Sequence, residues 1–225
     1  MAATTTVDES KLHDFLGQMV VDLGAAANAP LMLIGDRLGL YKAMASGEPM
    51  TSEELAKKTG TSERYVREWL SAQAAANYVD YDADTNTFSM TPEKAMVLAD
   101  EDSPVFLGGL FEGVFAWTVD EPKIEHAFTT GKGVGWHEHH PCLFSSTERF
   151  FRTGYQANLV SSWLPALDGV VEKLERGARV ADVGCGHGAS TIIMAKAFPN
   201  STFVGFDYHD ASIASASKAA REAGV

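Results

Sequence analysis

The stretch VADVGCGHGAS, Val180 to Ser190, constrains the fold of this 225-residue chain more than any other feature. A short apolar run leads into an acid and then three glycines at alternate positions. This is typical of a strand that turns through a glycine-rich loop into a helix. A second apolar run, STFVGFD, and a helical pattern over residues 209–224 follow. Strand, helix, strand and helix in this order predict the beginning of a parallel α/β sheet.

In such sheets ligands bind at the carboxyl ends of the strands, where glycines let the backbone approach the ligand. Asp207 ends the second predicted strand, where an acid accepts hydrogen bonds from ribose hydroxyls. The glycine spacing alone fits two ligand classes, because the loop matches GxGxG and, with Ala189 as the last small residue, also GxGxxG/A.

Asp182 bears on the choice between these two ligand classes. A carboxylate beside the loop would repel the pyrophosphate of NAD. S-adenosylmethionine has no phosphate and carries a positive sulfonium and a positive amino group, so the same carboxylate suits it. The charge pattern therefore favours S-adenosylmethionine over a dinucleotide.

VADVGCGHG followed by FVGFD resembles motif I and the ribose-binding acid of class I S-adenosylmethionine-dependent methyltransferases. The layout of nearly the whole chain resembles small-molecule O-methyltransferases. The segment from Trp163 to His209 is similar to bacterial, notably mycobacterial, proteins of this layout that are sometimes labelled transcriptional regulators. The motif-grade part of the resemblance is Val180 to Tyr208.

The resemblance implies a role for each matching residue. Glycines line the methionine and ribose portions, one acid faces the amino group, a second acid holds the ribose hydroxyls, and an aromatic ring lies near the adenine. The glycines are Gly184, Gly186 and Gly188. The acid at the amino group is Asp182, the ribose-binding acid is Asp207, and the aromatic ring is that of Tyr208. The residues alone leave alternatives open: Asp182 could cap backbone amides at a strand end, and Tyr208 could serve plain packing.

The class I methyltransferase sheet has seven strands, and this chain supplies two of them. Two parallel strands would leave a long unpaired edge. We therefore expect the chain to be a fragment, with the remaining strands and most catalytic side chains beyond Val225, so the resemblance does not extend to activity of this polypeptide by itself. The expected fold class is α/β with a helix-rich N-terminal domain, the first βαβα of a Rossmann-like sheet being present.

Residues 1–100 are expected to form a helical, winged-helix-like dimerisation domain. Apolar residues recur at helical spacing in the first part, at Leu12, Phe15, Leu16, Met19, Val20 and Leu23. This pattern predicts two largely buried helices broken at Pro30, with enough apolar surface for a homodimer. The apolar stretch Leu23 to Gly35 is too short to span a bilayer, so no membrane contact is expected.

The segment over residues 51–92 has the pattern of helices and strands that is typical of a winged helix. Thr51 with Glu54 predicts a capping box, Gly60 ends the first helix, and a second helix runs to about Ala76. YVDY and TFSM flank a polar turn and predict a two-stranded wing. Residues 1–100 hold 8 Lys and Arg against 15 Asp and Glu, so nucleic acid is not an expected partner.

Residues 101–176 are expected to be a helical connector that roofs a pocket, and residues 177–225 the start of the cofactor domain. The glycines at 131, 133 and 135 predict a loop, and Thr147 to Lys173 predicts one or two helices broken at Pro165. Six aromatic residues are the expected roof: Phe111, Phe115, Trp117, Trp136, Phe150 and Tyr155.

WHEHHPC, residues 136–142, invites a metal interpretation, but its spacing misses both HExxH and HxE with PCxxC, so no metal is expected. His137 and His140 are weak candidates for a general base. No other residue indicates the catalytic base.

Charge and cysteine content set the remaining expectations. The net charge of −12 opposes binding to phosphates and anionic membranes. Two cysteines without CxxC spacing, and no secretory signal pattern at the N-terminus, indicate a reducing cytoplasm. The predicted function is S-adenosylmethionine-dependent methyl transfer to a small-molecule acceptor, on oxygen. The alternatives are a winged-helix transcriptional regulator with a cofactor-sensing domain and an NAD-dependent enzyme.

Overall fold

A computed structural model describes residues 7–225 of the chain. The helices and strands, in chain order, are α1 (Glu9–Arg37), α2 (Leu40–Met44), α3 (Ser52–Thr59), α4 (Glu63–Ala75), β1 (Asp80–Asp82), β2 (Thr87–Ser89), α5 (Pro92–Leu98), α6 (Leu110–Thr130), α7 (Pro141–Asn158), α8 (Val170–Arg176), β3 (Arg179–Val183), α9 (Ala189–Ala197), β4 (Thr202–Phe206) and α10 (Asp210–Ala223). A 3₁₀ turn covers Trp136–Glu138 and a π-helical turn covers Leu159–Trp163.

The winged-helix arrangement predicted from the sequence is confirmed in α3, α4 and the β1–β2 hairpin. Thr51 and Glu54 form the reciprocal capping box at the start of α3, and Gly60 ends α3 in the left-handed conformation. β1 and β2 pair antiparallel, with Tyr81 opposite Phe88. The core beneath them is apolar, and Leu55 and Leu70 are completely buried in it.

The predicted break at Pro30 is wrong, because α1 runs through Pro30 as one helix. Proline removes one helix hydrogen bond and crowds the preceding turn. Contacts on both sides of Pro30 compensate: Gln73 Nε2 donates to Asn28 Oδ1 at 3.0 Å, and Trp69 Nε1 donates to the Leu31 carbonyl at 2.8 Å. Tertiary contacts with α4 thus keep the helix continuous across a residue that would end it in isolation.

The expectation that this part of the chain is largely buried is also wrong for its first half. Residues 7–27 are all exposed, whereas Met32, Leu33 and Gly35, further along α1, are buried. By length and composition alone, α1 could cross a membrane, contrary to the expectation from Leu23 to Gly35. Core helices of soluble proteins and signal sequences meet the same criterion, so this property is weak support for a membrane span.

The connector consists mainly of α6 and α7, which pack against each other. The loop predicted from the glycines at 131, 133 and 135 is present between them. α7 begins at Pro141, six residues before the predicted start, because the His140 side chain caps the helix and Pro141 occupies its first turn. The regular helix ends at Asn158, and the π-helical turn leads to the predicted break at Pro165.

β3, α9, β4 and α10 form the predicted beginning of a parallel sheet. β3 and β4 pair in parallel register, with Asp182 opposite Gly205 and Val183 opposite Phe206. Leu164, Met194 and Phe198 form a small buried core with Leu174. The carboxyl ends of both strands therefore meet at one edge, where the glycine loop begins.

Candidate active site

The glycine loop, residues 184–188, joins β3 to α9 and presents bare backbone to open space. Gly184 and Gly186 have φ values of 78° and 54°, which side-chain-bearing residues adopt at a cost. A Cβ added at either position would meet no atom within 4 Å. The space above these two glycines is therefore available to a ligand.

Gly188 has a different role from the other two glycines. A Cβ at Gly188 would lie 3.0 Å from the Cβ of Ala216 in α10. This glycine therefore permits close packing of the start of α9 against α10. That packing fixes the direction of the helix whose N-terminus borders the loop.

Asp207 ties the end of β4 to the glycine loop. Its Oδ2 accepts the Gly186 N–H at 3.0 Å, and its Oδ1 accepts the His209 N–H at 2.9 Å. Each carboxylate oxygen can accept a further hydrogen bond. Asp207 thus lies beside the loop with accepting capacity left for two hydroxyls.

Asp182 lines the cavity over the loop and is held by hydroxyl groups. Its Oδ2 accepts from Ser190 Oγ at 2.8 Å and from Thr191 Oγ1 at 2.6 Å. Within residues 7–225 no lysine or arginine lies in ion-pair distance of Asp182. Its negative charge is therefore not neutralised by a side chain, and Coulomb repulsion would oppose a diphosphate at this place.

Cys185 lies beneath the loop and packs against β4. A Cβ at Gly205 would come within 2.8 Å of Cys185 Sγ. Burial, followed by the charges of Asp182 and Asp207, raises the pKa of the Cys185 thiol. The thiol is therefore a packing group, and its backbone is the part that contributes to the loop.

A cavity of about 260 Å³ lies between the glycine loop and α7. The connector contributes four aromatic side chains and two polar ones, namely Trp136, Phe144, Phe151, Tyr155, Thr147 and Glu148. The loop side includes Asp182, the residues 183–187 and the first turn of α9. One wall is thus bare backbone with a carboxylate, and the opposite wall is mainly aromatic.

Only Trp136 and Tyr155 of the six expected roof residues line this cavity. Phe111 packs on the winged-helix core, and Phe115 lies beneath the Arg37 guanidinium and meets the His140 ring edge-to-face. Trp117 and Phe150 are exposed. Phe144 and Phe151 line the cavity instead. They are seven residues apart and therefore lie on one face of α7. This spacing could indicate their role only if the helix were known to begin before Phe144.

The WHEHHPC segment forms the 3₁₀ turn and the cap of α7. The His137 ring lies 5.8 Å from the exposed ring of Tyr208, and His140 Nδ1 accepts the Cys142 N–H at 3.2 Å. Neither His137 nor His140 is among the residues that line the cavity. Within residues 7–225 no group of three His, Cys, Asp or Glu side chains has the arrangement of a metal site.

Asp120 of α6 holds this turn in place, and the sequence pattern did not indicate it. The side chain of Asp120 is 1% exposed, and its carboxylate accepts from Lys123 Nζ, the His140 N–H and the His139 ring at 2.8–2.9 Å. Burial alone would raise the pKa of Asp120, but these hydrogen bonds outweigh it and lower the pKa to about 2. Asp120 therefore carries its charge in the folded protein and fixes the 136–140 turn on α6.

Two family models match parts of the chain. Residues 26–100 match the "Rv2258c-like winged HTH domain", and residues 174–225 match a family described as "Methyltransferase domain". No curated protein matches the chain significantly.

Solved structures share the fold over nearly the whole chain. A Nostoc punctiforme protein with a provisional O-methyltransferase assignment matches with a TM-score of 0.65 at 20% identity, over 93% of this chain and 62% of its own. Mitomycin 7-O-methyltransferase matches with a TM-score of 0.61 at 20% identity, over 96% of this chain and 64% of its own. Human N-acetylserotonin methyltransferase, solved with S-adenosylmethionine, matches with a TM-score of 0.55 at 13% identity, over 91% of this chain and 61% of its own.

This chain thus spans less than two thirds of the length of these structures. The domain matches and the shared fold agree with the resemblance in the glycine loop. The chain combines a winged helix-turn-helix domain with methyltransferase-domain sequence, in the fold of class I methyltransferases.

Proposed function

We propose that the cavity between the glycine loop and α7 binds S-adenosylmethionine, and that the chain takes part in methyl transfer to a small-molecule acceptor. The observation that carries this proposal is the glycine loop itself, with open space over Gly184 and Gly186 and the Asp207 carboxylate beside it. Glycine backbone and a ribose-binding acid suit a nucleoside, and the un-neutralised charge of Asp182 favours a cationic one.

The residues present fit this cofactor, and each has a role that follows from its place. Gly184 and Gly186 would admit the ligand to the backbone, Asp207 would accept the ribose hydroxyls, and Tyr208 would lie near the adenine. Bound there, S-adenosylmethionine supplies a methyl group on a positively charged sulfur. The chain's own contribution is to position that group, and positioning accounts for a large share of catalysis in a displacement reaction.

The acceptor is proposed to be a small, partly aromatic molecule that is methylated on oxygen. Trp136, Phe144, Phe151 and Tyr155 support an aromatic or apolar acceptor, because they face the loop across the cavity. The similar structures described as O-methyltransferases support oxygen as the methylated atom.

A homodimer is proposed as the assembly, and the cytoplasm as the compartment. α1 supports the dimer, because six large apolar residues form one stripe along its exposed half: Leu12, Phe15, Leu16, Met19, Val20 and Leu23. A continuous apolar stripe of this kind is typical of helices that pair. A second copy of the chain would cover both stripes at once.

Calorimetric titration with S-adenosylhomocysteine and with NAD tests the cofactor proposal. The chain is expected to bind S-adenosylhomocysteine and not NAD. Asp207→Asn is expected to weaken that binding by about tenfold or more, because a charge-assisted hydrogen bond to the ribose is lost. Asp84→Asn, on the exposed wing loop, is the matched control and should bind like the unmodified chain.

Binding of NAD without binding of S-adenosylhomocysteine would contradict the proposal and favour a dinucleotide enzyme. Equal binding by Asp207→Asn and the unmodified chain would remove Asp207 from the site.

A further inference from the structure

Glu148 is a carboxylate in the cavity whose bonding is incomplete. It lies on α7, its side chain is 19% exposed, and it lines the cavity opposite the glycine loop. Among the described residues no group donates a hydrogen bond to its carboxylate; the Arg152 guanidinium lies 3.5 Å away, at ion-pair distance only. A largely buried carboxylate is costly unless hydrogen-bond donors satisfy it.

The charges around Glu148 do not balance. Arg152 donates its hydrogen bond to Glu101 at 2.8 Å, and Arg149 is committed to Asp36 at 2.7 and 2.9 Å. Arg149 also lies within 4 Å of Glu101 and Glu112. Two guanidinium groups therefore lie among four carboxylates, those of Asp36, Glu101, Glu112 and Glu148. Of these four, Glu148 is the one that lines the cavity. The second carboxylate on the cavity, Asp182, has no lysine or arginine within ion-pair distance among the described residues, and no lysine or arginine lines the space between the two carboxylates.

The position of Glu148 along α7 shows which end of the nucleoside site it faces. The centroids of the Phe144 and His209 rings lie 4.4 Å apart, next to Asp207 and the end of β4. Glu148 lies one helical turn further on the same face of α7. It is therefore displaced from the ribose-binding acid along the cavity, on the side away from the nucleoside end.

We propose that Glu148 binds the protonated amino group of the methionine part of the cofactor. This inference rests on the proposed function, since it assigns a residue to that ligand. An ammonium group supplies what the Glu148 carboxylate lacks, an N–H donor at hydrogen-bond distance that also carries a positive charge, whereas a sulfonium supplies charge without a donor. Asp182 on one wall and Glu148 on the other would then make the cavity selective for a ligand with a positive amino group.

Two ligands that differ only in this part test the proposal by calorimetry. S-adenosylhomocysteine carries the amino acid, and 5′-methylthioadenosine carries the same nucleoside and thioether without it. Glu148→Gln is expected to weaken the binding of S-adenosylhomocysteine by about 10- to 100-fold. It is expected to weaken the binding of methylthioadenosine by less than about twofold, because only S-adenosylhomocysteine offers an ammonium group. Glu125→Gln, an exposed carboxylate of α6 outside this cavity, is the matched control and should change neither.

The outcomes separate this inference from the proposed function. Unchanged binding of S-adenosylhomocysteine by Glu148→Gln overturns the inference while the cofactor site stands. Equal weakening of both ligands also overturns it, since Glu148 would then act on the shape of the cavity. If the unmodified chain binds neither ligand, both proposals fall together. Retained methylthioadenosine binding in Glu148→Gln also shows that the variant is folded.

Discussion

Asp120 shows how one buried residue organises a segment that has no regular structure of its own. Its carboxylate binds the His139 ring, the His140 N–H and Lys123 at once. The 136–140 turn it holds carries Trp136, which lines the cavity, and His137, which contacts Tyr208. A charge in α6 therefore sets the position of side chains at the candidate nucleoside site.

Replacing Asp120 by Asn is expected to lower the free energy of unfolding by about 2 kcal/mol at neutral pH, because a buried charge-assisted hydrogen bond is lost. The pKa of Asp120 is lowered from 3.8 to about 2 in the folded protein, so its stabilising effect is present above about pH 4 and is lost as the pH falls toward 2. Urea unfolding between pH 7 and 3 should therefore show the difference between the two proteins shrinking at the acid end.

Asp102→Asn, at an exposed position, is the control and should leave stability unchanged across the same pH range. A difference between Asp120→Asn and the unmodified chain that stays constant with pH would contradict the assigned charge of Asp120.

The sequence could indicate the glycine loop but not Asp120. Gly184, Gly186 and Asp207 follow a local pattern of strand, turn and strand end, which sequence spacing reports directly. The pairing of Asp120 with His139 joins two elements across a loop, and nothing in the spacing of 19 residues predicts it. The spacing of residues along the sequence does not indicate which of them act through tertiary contacts.

At the scale of elements, α7 joins the two halves of the molecule. One part of its surface carries Arg149, which binds Asp36 of α1 through two hydrogen bonds. Another part carries Phe144, Phe151 and Tyr155, which line the cavity. The Asp36 hydrogen bonds, opposed by burial, raise the pKa of Arg149, so the guanidinium keeps its charge at all ordinary pH values.

A double-mutant cycle on Asp36→Asn and Arg149→Gln is expected to give a coupling energy of about 2–3 kcal/mol, because each side chain is 13% exposed and removal of either leaves a buried charge. Chemical denaturation of the four proteins measures it. The exposed pair Lys218 and Glu222, 72% and 67% exposed, should give about 0.5 kcal/mol or less in the same experiment. Equal coupling in both pairs would mean that burial does not strengthen the α1–α7 link.

Element boundaries illustrate the limits of local signals. The capping box at Thr51 and Glu54 predicted the start of α3 because both partners lie within one turn. Pro30 predicted a break that did not occur, because contacts from Asn28 and Leu31 to α4 override the local cost. The start of α7 at Pro141 was missed because the cap, His140, is an uncommon residue in that role.

At the scale of the whole molecule, the exposed half of α1 is an apolar surface without a partner in the described chain. Its stripe is expected to pair with that of a second copy. Phe15→Glu places a charge in the stripe and is therefore expected to convert a dimer into a monomer, while the thermal unfolding of the winged-helix core stays the same. Multi-angle light scattering measures the change in mass.

Val21→Glu is the matched control, because Val21 is 69% exposed but lies on the opposite side of α1 from Leu12. This variant should remain dimeric. A monomeric unmodified chain, or dissociation by both variants alike, would contradict pairing through the stripe.

The salt link between α1 and α7 has a consequence for protein engineering. A chimaera that exchanged residues 1–100 for another winged helix would leave the Arg149 guanidinium enclosed without Asp36, whatever linker joined the two parts. Such a graft would need an acid at the equivalent turn of the donor helix. The winged-helix part and the rest of the chain can therefore be exchanged only together with the contacts that α7 makes, and not simply by cutting at a loop.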